Sequence, residues 1–124
     1  MIAYLRDETG ADAVEELLND EEDCLAHAVN LCEVYYDFIR SEDEPTANEA
    51  IEDLKSSGVI PRGDIDEEFW QEVGRYKGNI RRVSLADCFA IALANRVEGE
   101  LATSDHGEFD PIAAQNICRI RFIR

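Results

Sequence analysis

Arg82-Val83-Ser84-Leu85-Ala86-Asp87, an apolar run to Asn95-Arg96, then Val97-Glu98-Gly99 and Leu101-Ala102-Thr103-Ser104-Asp105 decide the fold. Ser84 followed three residues later by Asp87 is an acidic variant of a capping box, so a helix is expected to open there. Leu85, Cys88, Phe89, Ala92 and Leu93 recur at offsets of three and four and give it an apolar face. Gly99 is expected to stop it by taking a positive φ. Leu101 to Ser104 is short, apolar and bounded, as a buried strand is, and Asp105 stands at its carboxyl end. Ligands of open α/β sheets bind beyond the carboxyl ends of strands. Asp87, in a first helical turn, and Asp105, at the next strand end, are therefore expected at one rim of a sheet. Asp87 also has a plainer reading, as a carboxylate placed to suit the helix dipole.

Outward from this stretch, helices and strands alternate. On the N-terminal side, 2–5 is too short to assign, 11–19 reads as a helix, and 24–28 reads as a strand. A helix over 30–40 follows, with Leu31, Val34, Tyr35, Phe38 and Ile39 inward. Asn30, Glu33 and Asp37 make a polar line along it, read either as its wet face or as a functional line. Pro45 suits the first turn of another helix, with Ala47, Ala50, Ile51 and Leu54 inward and Ser57-Gly58 as its end. A short strand over 59–61 carries Pro61, which suits an edge or a strand end. The next helix starts at 64–66, carries Phe69, Trp70, Val73 and Tyr76, and breaks at Gly78-Asn79. Beyond Asp105 a loop leads through a helical turn over 112–115 to an edge strand over 118–122. The alternation predicts an α/β domain with a mostly parallel sheet, one domain over residues 1–124.

Composition sets the outer bounds. The chain has 124 residues, 45% of them hydrophobic, enough for one domain with a real core. No run of 18 apolar residues suggests a membrane span, and no basic-then-apolar leader opens the sequence. Cys24, Cys32, Cys88 and Cys118 form no C-x-x-C pair and are expected as reduced core thiols of a cytoplasmic protein. His27 and His106 are too few and too far apart for a histidine zinc site.

The net charge is −16, which repels bulk nucleic acid and favours basic partners or cations. The charge is unevenly spread. Nine acidic residues and no basic one lie over 7–23. Arg75, Lys77, Arg81 and Arg82 cluster just before Asp87, and this cluster reads either as a positive rim or as ordinary surface.

Glu33, Asp87 and Asp105 are the carboxylates that an α/β sheet has reason to gather. Packed carboxylates repel one another, and a divalent cation removes that cost. Oxygen ligands without histidine or cysteine suit Mg²⁺ or Mn²⁺ rather than zinc. Such a centre activates water and neutralises phosphate, so the natural substrate is a phosphodiester. No Gly-rich phosphate loop, Gly-x-Ser-x-Gly elbow or cysteine–histidine signature points to other chemistry.

At these residues the sequence resembles the PIN-domain ribonucleases of the VapC toxin kind. Ile2-Ala3-Tyr4-Leu5-Arg6-Asp7-Glu8 with Gly10-Ala11-Asp12-Ala13 resembles the family's first strand-to-helix passage. Asn30-Leu31-Cys32-Glu33-Val34 resembles its second acidic motif, Ser84-Leu85-Ala86-Asp87 its third, and Leu101-Ala102-Thr103-Ser104-Asp105 its fourth. Phe122-Ile123-Arg124 resembles a common ending. The resemblance implies a three-layer α/β/α fold and Mg²⁺-dependent (or Mn²⁺-dependent) endonucleolytic cleavage of RNA. It also implies a homodimer and an inhibitory antitoxin partner. Glu33, Asp87 and Asp105 match the acidic positions that hold the ion and orient water, with Thr103 or Ser104 hydrogen-bonding within the site. Arg75, Lys77, Arg81 and Arg82 are candidate RNA contacts. The family opens with a strand ending in an Asp before the passage matched by Ile2 to Leu5, and Asp7 and Asp12 do not replace it. The expectation is a chain lacking that strand and ligand, with weakened or absent nuclease activity. The alternative is a non-catalytic, acidic, dimerising module that binds a protein partner.

Overall fold

The computed structural model describes residues 24–80, 82–103, 109, 111, 112, 115 and 117–122. The segments expected over 2–5 and 11–19 and the acidic run over 7–23 lie outside the described residues, as do Arg81, Ser104 and Asp105. The chain forms two compact units, Met1–Gly63 and Asp64–Arg124.

The described part of the first unit is β1 (Cys24–His27), α1 (Ala28–Ser41), α2 (Glu44–Ser56) and β2 (Val59–Arg62). β1 and β2 pair in parallel, Cys24 opposite Val59 through His27 opposite Arg62. The expected strand thus ends one residue early, because His27 becomes the N-cap of α1. Its Nδ1 accepts the Val29 N–H at 3.1 Å. Asp43 caps α2 by accepting the Thr46 N–H at 2.8 Å, and Pro45 follows in the first turn. Gly58 leaves α2 with φ 109°, where a side chain would be strained. Ala26, Leu31, Val34, Phe38, Ala47, Ala50, Leu54 and Val59 form one core, with Tyr35 and Ile51 packed on it.

Two expectations fail on α1. Cys32 is exposed, not a core thiol, because it sits about 100° round the helix from Leu31, outside the buried stripe of Leu31, Val34 and Phe38. Ile39 is also exposed. Asn30, Glu33 and Asp37 are half-buried, so their line is not the wettest side of the helix. Arg40 instead lies over the exposed Tyr36 ring, 4.8 Å from its centre.

The second unit contains α3 (Glu67–Asn79), α4 (Leu85–Arg96), β3 (Glu100–Thr103) and β4 (Arg119–Phe122). β3 and β4 pair in parallel, Glu100 opposite Arg119 through Thr103 opposite Phe122. Asp66 caps α3, accepting the Phe69 N–H at 3.0 Å. Phe69 and Val73 are buried, and the Phe69 ring meets Phe89 of α4 at 5.9 Å between centres. α3 ends at Asn79, as the Gly78-Asn79 pair predicts.

α4 is the most buried helix described: Ala86, Cys88, Phe89, Ile91, Ala92, Leu93 and Ala94 are all buried. Its apolar surface is wider than the predicted single face. Leu85, placed on that face by spacing, is 53% exposed, because N1 precedes the first buried turn. The exit also differs from expectation. Glu98, not Gly99, takes the positive φ, at 54°. Glu98 N–H reaches Asn95 O at 3.2 Å and Gly99 N–H reaches Ala94 O at 2.8 Å, the two bonds of a Schellman end. Among the described residues no helix is long and apolar enough to cross a membrane.

Candidate functional site

Asp87 occupies the third position of α4. Its N–H donates to Ser84 Oγ at 3.1 Å, so the predicted cap forms. Asp87 is half-buried in the first turn, where the positive end of the helix favours a carboxylate. The turn entering α4 is braced from α3: Lys77 Nζ donates to Val83 O at 2.9 Å, one residue before the cap.

Glu33 lies half-buried in the second turn of α1, in the first unit, whereas Asp87 and Thr103 belong to the second. Thr103 ends β3 and is half-buried. Asp105 and Ser104 fall outside the described residues. Among the described residues no group of three or more His, Cys, Asp or Glu side chains is placed to hold a metal ion. Asp87 and Thr103 carry hard oxygen donors of the kind that suit Mg²⁺, and Cys88, next to Asp87 in sequence, is buried in the core. Of the basic cluster, Arg75 and Arg82 are exposed, Lys77 is committed to Val83, and Arg81 is outside the described residues.

Two polar constructions escaped sequence reasoning. The first is a clasp at the other end of the helix pair. Arg96, in the last turn of α4, donates to both oxygens of Asp66 at 2.6 and 2.9 Å and to Asp64 at 3.1 Å. Its guanidinium lies 5.0 Å from the centre of the Phe69 ring. The Arg96 hydrogen bonds, with the Phe69 N–H second, hold the Asp66 carboxyl down at about 2. The same bonds raise Arg96 above its already high range. The only sequence signal was an Asp at N-cap spacing before an apolar helix.

The second is a chain of hydrogen bonds from α3 through α4 to the start of β4. Tyr76 Oη donates to Glu72 at 2.6 Å, while Asn95 Nδ2 donates to Tyr76 Oη at 2.9 Å and to Ile117 O at 3.0 Å. Burial first, then the Glu72 bond, pushes Tyr76 up to about 12. Burial also pushes the nearby Cys118 thiol up to about 11, so it is no nucleophile near neutral pH. Both constructions hold the unit together; neither presents an activated group to substrate.

The PIN domain family model matches residues 1–114. No curated protein and no solved structure matches this sequence. With that match over most of the chain, and with helices alternating with parallel strands, the chain belongs to the PIN domain family, whose fold is three-layer α/β/α and whose members are typically metal-dependent nucleases.

Proposed function

We propose that this protein is a Mg²⁺-dependent endoribonuclease and the toxin of a toxin–antitoxin pair. The observation that carries this reading is Asp87: in a chain of this family it occupies a capped, half-buried first turn at the positive end of a buried helix. Glu33, Asp87 and Asp105 are the residues proposed to hold the ion, with Thr103 and Ser104 hydrogen-bonding around them. A bound ion supplies charge neutralisation at the phosphate. The reaction is hydrolysis: a water oxygen bonds to phosphorus, one bridging P–O bond breaks, and the departing oxygen takes up a proton. In this scheme Glu33, Asp87 and Asp105 together would hold the ion and orient the attacking water. A homodimer, an antitoxin and a cytoplasmic setting complete the proposal.

The test is cleavage of RNA with Mg²⁺ or Mn²⁺ by the native chain and by Asp87→Asn. Cleavage lost in the variant with the fold intact supports the reading. Unchanged cleavage by Asp87→Asn sinks it. Absence of cleavage by a well-folded native chain supplied with either metal moves the protein to the non-catalytic, acidic binding module.

A further inference from the structure

Val83 precedes the cap of α4 and is fully buried, its carbonyl included. That carbonyl stands outside the helix ladder, whose first acceptor is Ser84 O, bonded to the Cys88 N–H at 3.0 Å. A buried carbonyl needs a donor. Here the donor is the Lys77 ammonium, from the last turn of α3, at 2.9 Å. A cation in that turn already suits the dipole of α3, but the dipole sets no aim for it. The observed bond crosses instead to the entry of the next helix.

The connection between the two helices is five residues long, 80–84, between Asn79 and Leu85. It is tied at both ends to α3: the Ile80 N–H bonds Tyr76 O at 2.8 Å, and Lys77 holds Val83 O. Ser84 Oγ then accepts the Asp87 N–H at 3.1 Å. Only one peptide and one cap therefore separate the Lys77 bond from the backbone of the candidate ligand. Core packing holds the first turn of α4 through Ala86 and Cys88, whereas Leu85 at its start is 53% exposed and anchors little.

We propose that Lys77 is a positioning residue for Asp87. Its bond to Val83 O fixes the backbone that enters α4, and with it the aim of the Asp87 carboxylate at a divalent cation. This rests on the ribonuclease reading and takes Lys77 out of the candidate RNA contacts. Mg²⁺ demands near-ideal octahedral geometry, and a site of this kind works only when its ligands are held to within about 0.5 Å. In this scheme the lysine touches neither ion nor substrate.

The measurement is Mn²⁺ affinity of the full chain by calorimetry, without RNA. Lys77→Met keeps the aliphatic stem and loses the donor, and is expected to weaken Mn²⁺ about tenfold, the usual scale for losing a group that orients a ligand. Lys77→Arg keeps a charged donor and is expected to restore most of the affinity. Asn95→Ala breaks hydrogen bonds elsewhere in the same unit and is the stability control, with native affinity expected. In RNA cleavage the metal concentration giving half the maximal rate should rise in Lys77→Met by the same factor as the Mn²⁺ dissociation constant, while the rate at saturating metal changes little. If Lys77→Met does not fold, Lys77→Gln, one bond shorter and neutral, takes its place with the same expected weakening. Native Mn²⁺ affinity in the folded variant overturns the positioning role and leaves the ribonuclease reading standing. Equal weakening in Asn95→Ala also overturns it, because general destabilisation then accounts for the loss. Unchanged metal affinity with a shallower salt dependence of RNA binding in Lys77→Met makes the lysine a phosphate contact instead. A folded native chain that neither binds Mn²⁺ nor cleaves RNA with it sinks the ribonuclease reading and the positioning role together.

Discussion

Arg96 grips both oxygens of the Asp66 carboxylate, at 2.6 and 2.9 Å, while that same carboxylate caps α3 through the Phe69 N–H. One acidic group thus serves two ends at once, closing the last turn of α4 onto the first turn of α3. The pair is solvent-accessible, Asp66 more so than Arg96, so screening reduces its Coulombic part; the cap and the bidentate geometry remain.

Acid should therefore expose this clasp. Asp66 is held at about 2 against an ordinary 3.8. A carboxylate with a depressed folded pKa contributes stability that is present above its unfolded pKa and lost as pH falls through the folded value. The clasp's contribution should be intact above about pH 4 and gone by about pH 2. Chemical denaturation across that window should show native stability falling, while Asp66→Asn starts lower and changes less. Parallel curves for the two proteins would remove Asp66 from the account.

The alkaline side is governed by Tyr76, whose pKa burial and Glu72 push up to about 12 from 10.0. Here the folded state holds the proton longer than the unfolded one. The contribution is complete below about pH 10 and lost as pH rises towards 12. Ultraviolet titration should show Tyr76 ionising later than Tyr35, which burial and then Glu44 also raise, and Tyr76→Phe should abolish that latest step. Asn95→Ala leaves the Ile117 carbonyl and the Tyr76 hydroxyl without their shared donor, at a cost of about 1–3 kcal/mol in thermal or chemical unfolding.

Glu98 is a site where the natural residue is not the best one. Its φ of 54° places an L-residue in the left-handed region, at the position of a Schellman end where glycine is usual. Its carbonyl also accepts from the Arg119 guanidinium, a bond that a change of side chain leaves in place. Glu98→Gly should stabilise the protein by up to about 1 kcal/mol, since the left-handed penalty is removed and only partly offset by a freer unfolded chain. A lower melting temperature would contradict this account of the helix end.

The same exit shows where sequence reasoning reaches and where it stops. Ser84 was readable as a cap because a hydroxyl and an N–H three residues apart find each other locally, whatever surrounds them. The end of α4 was readable too, but which residue takes the left-handed turn was not: Glu98 and Gly99 are adjacent, and the register of the last turn chooses between them. Periodicity found the core stripes of Leu31, Val34 and Phe38 and of Phe69 and Val73. It misplaced Cys32 and Leu85, since small or terminal apolar residues beside a stripe are not drawn in by it. The Arg96–Asp66 clasp joins residues 30 apart, and the Asn95–Ile117 bond joins residues 22 apart. Nothing local announces such pairs in a chain with 28 acidic residues to choose from. Asp87's place in the capped first turn was legible for the same local reason as Ser84's.

Ser84 and Asp87 lie three residues apart and are expected to separate stability from activity. Ser84→Ala deletes the oxygen that accepts the Asp87 N–H and should cost about 1 kcal/mol of stability. Cleavage by its folded fraction should persist, because the carboxylate remains in the first turn. Asp87→Asn keeps the N–H and the cap but removes the charge, so unfolding should be nearly unchanged while metal-dependent cleavage falls by at least ~100-fold, the usual scale for a charged group acting on the transition state. Measuring both quantities on both variants distinguishes the two roles of this turn. If Asp87→Asn lost as much stability as Ser84→Ala and no activity, the carboxylate would be only a complement to the helix dipole.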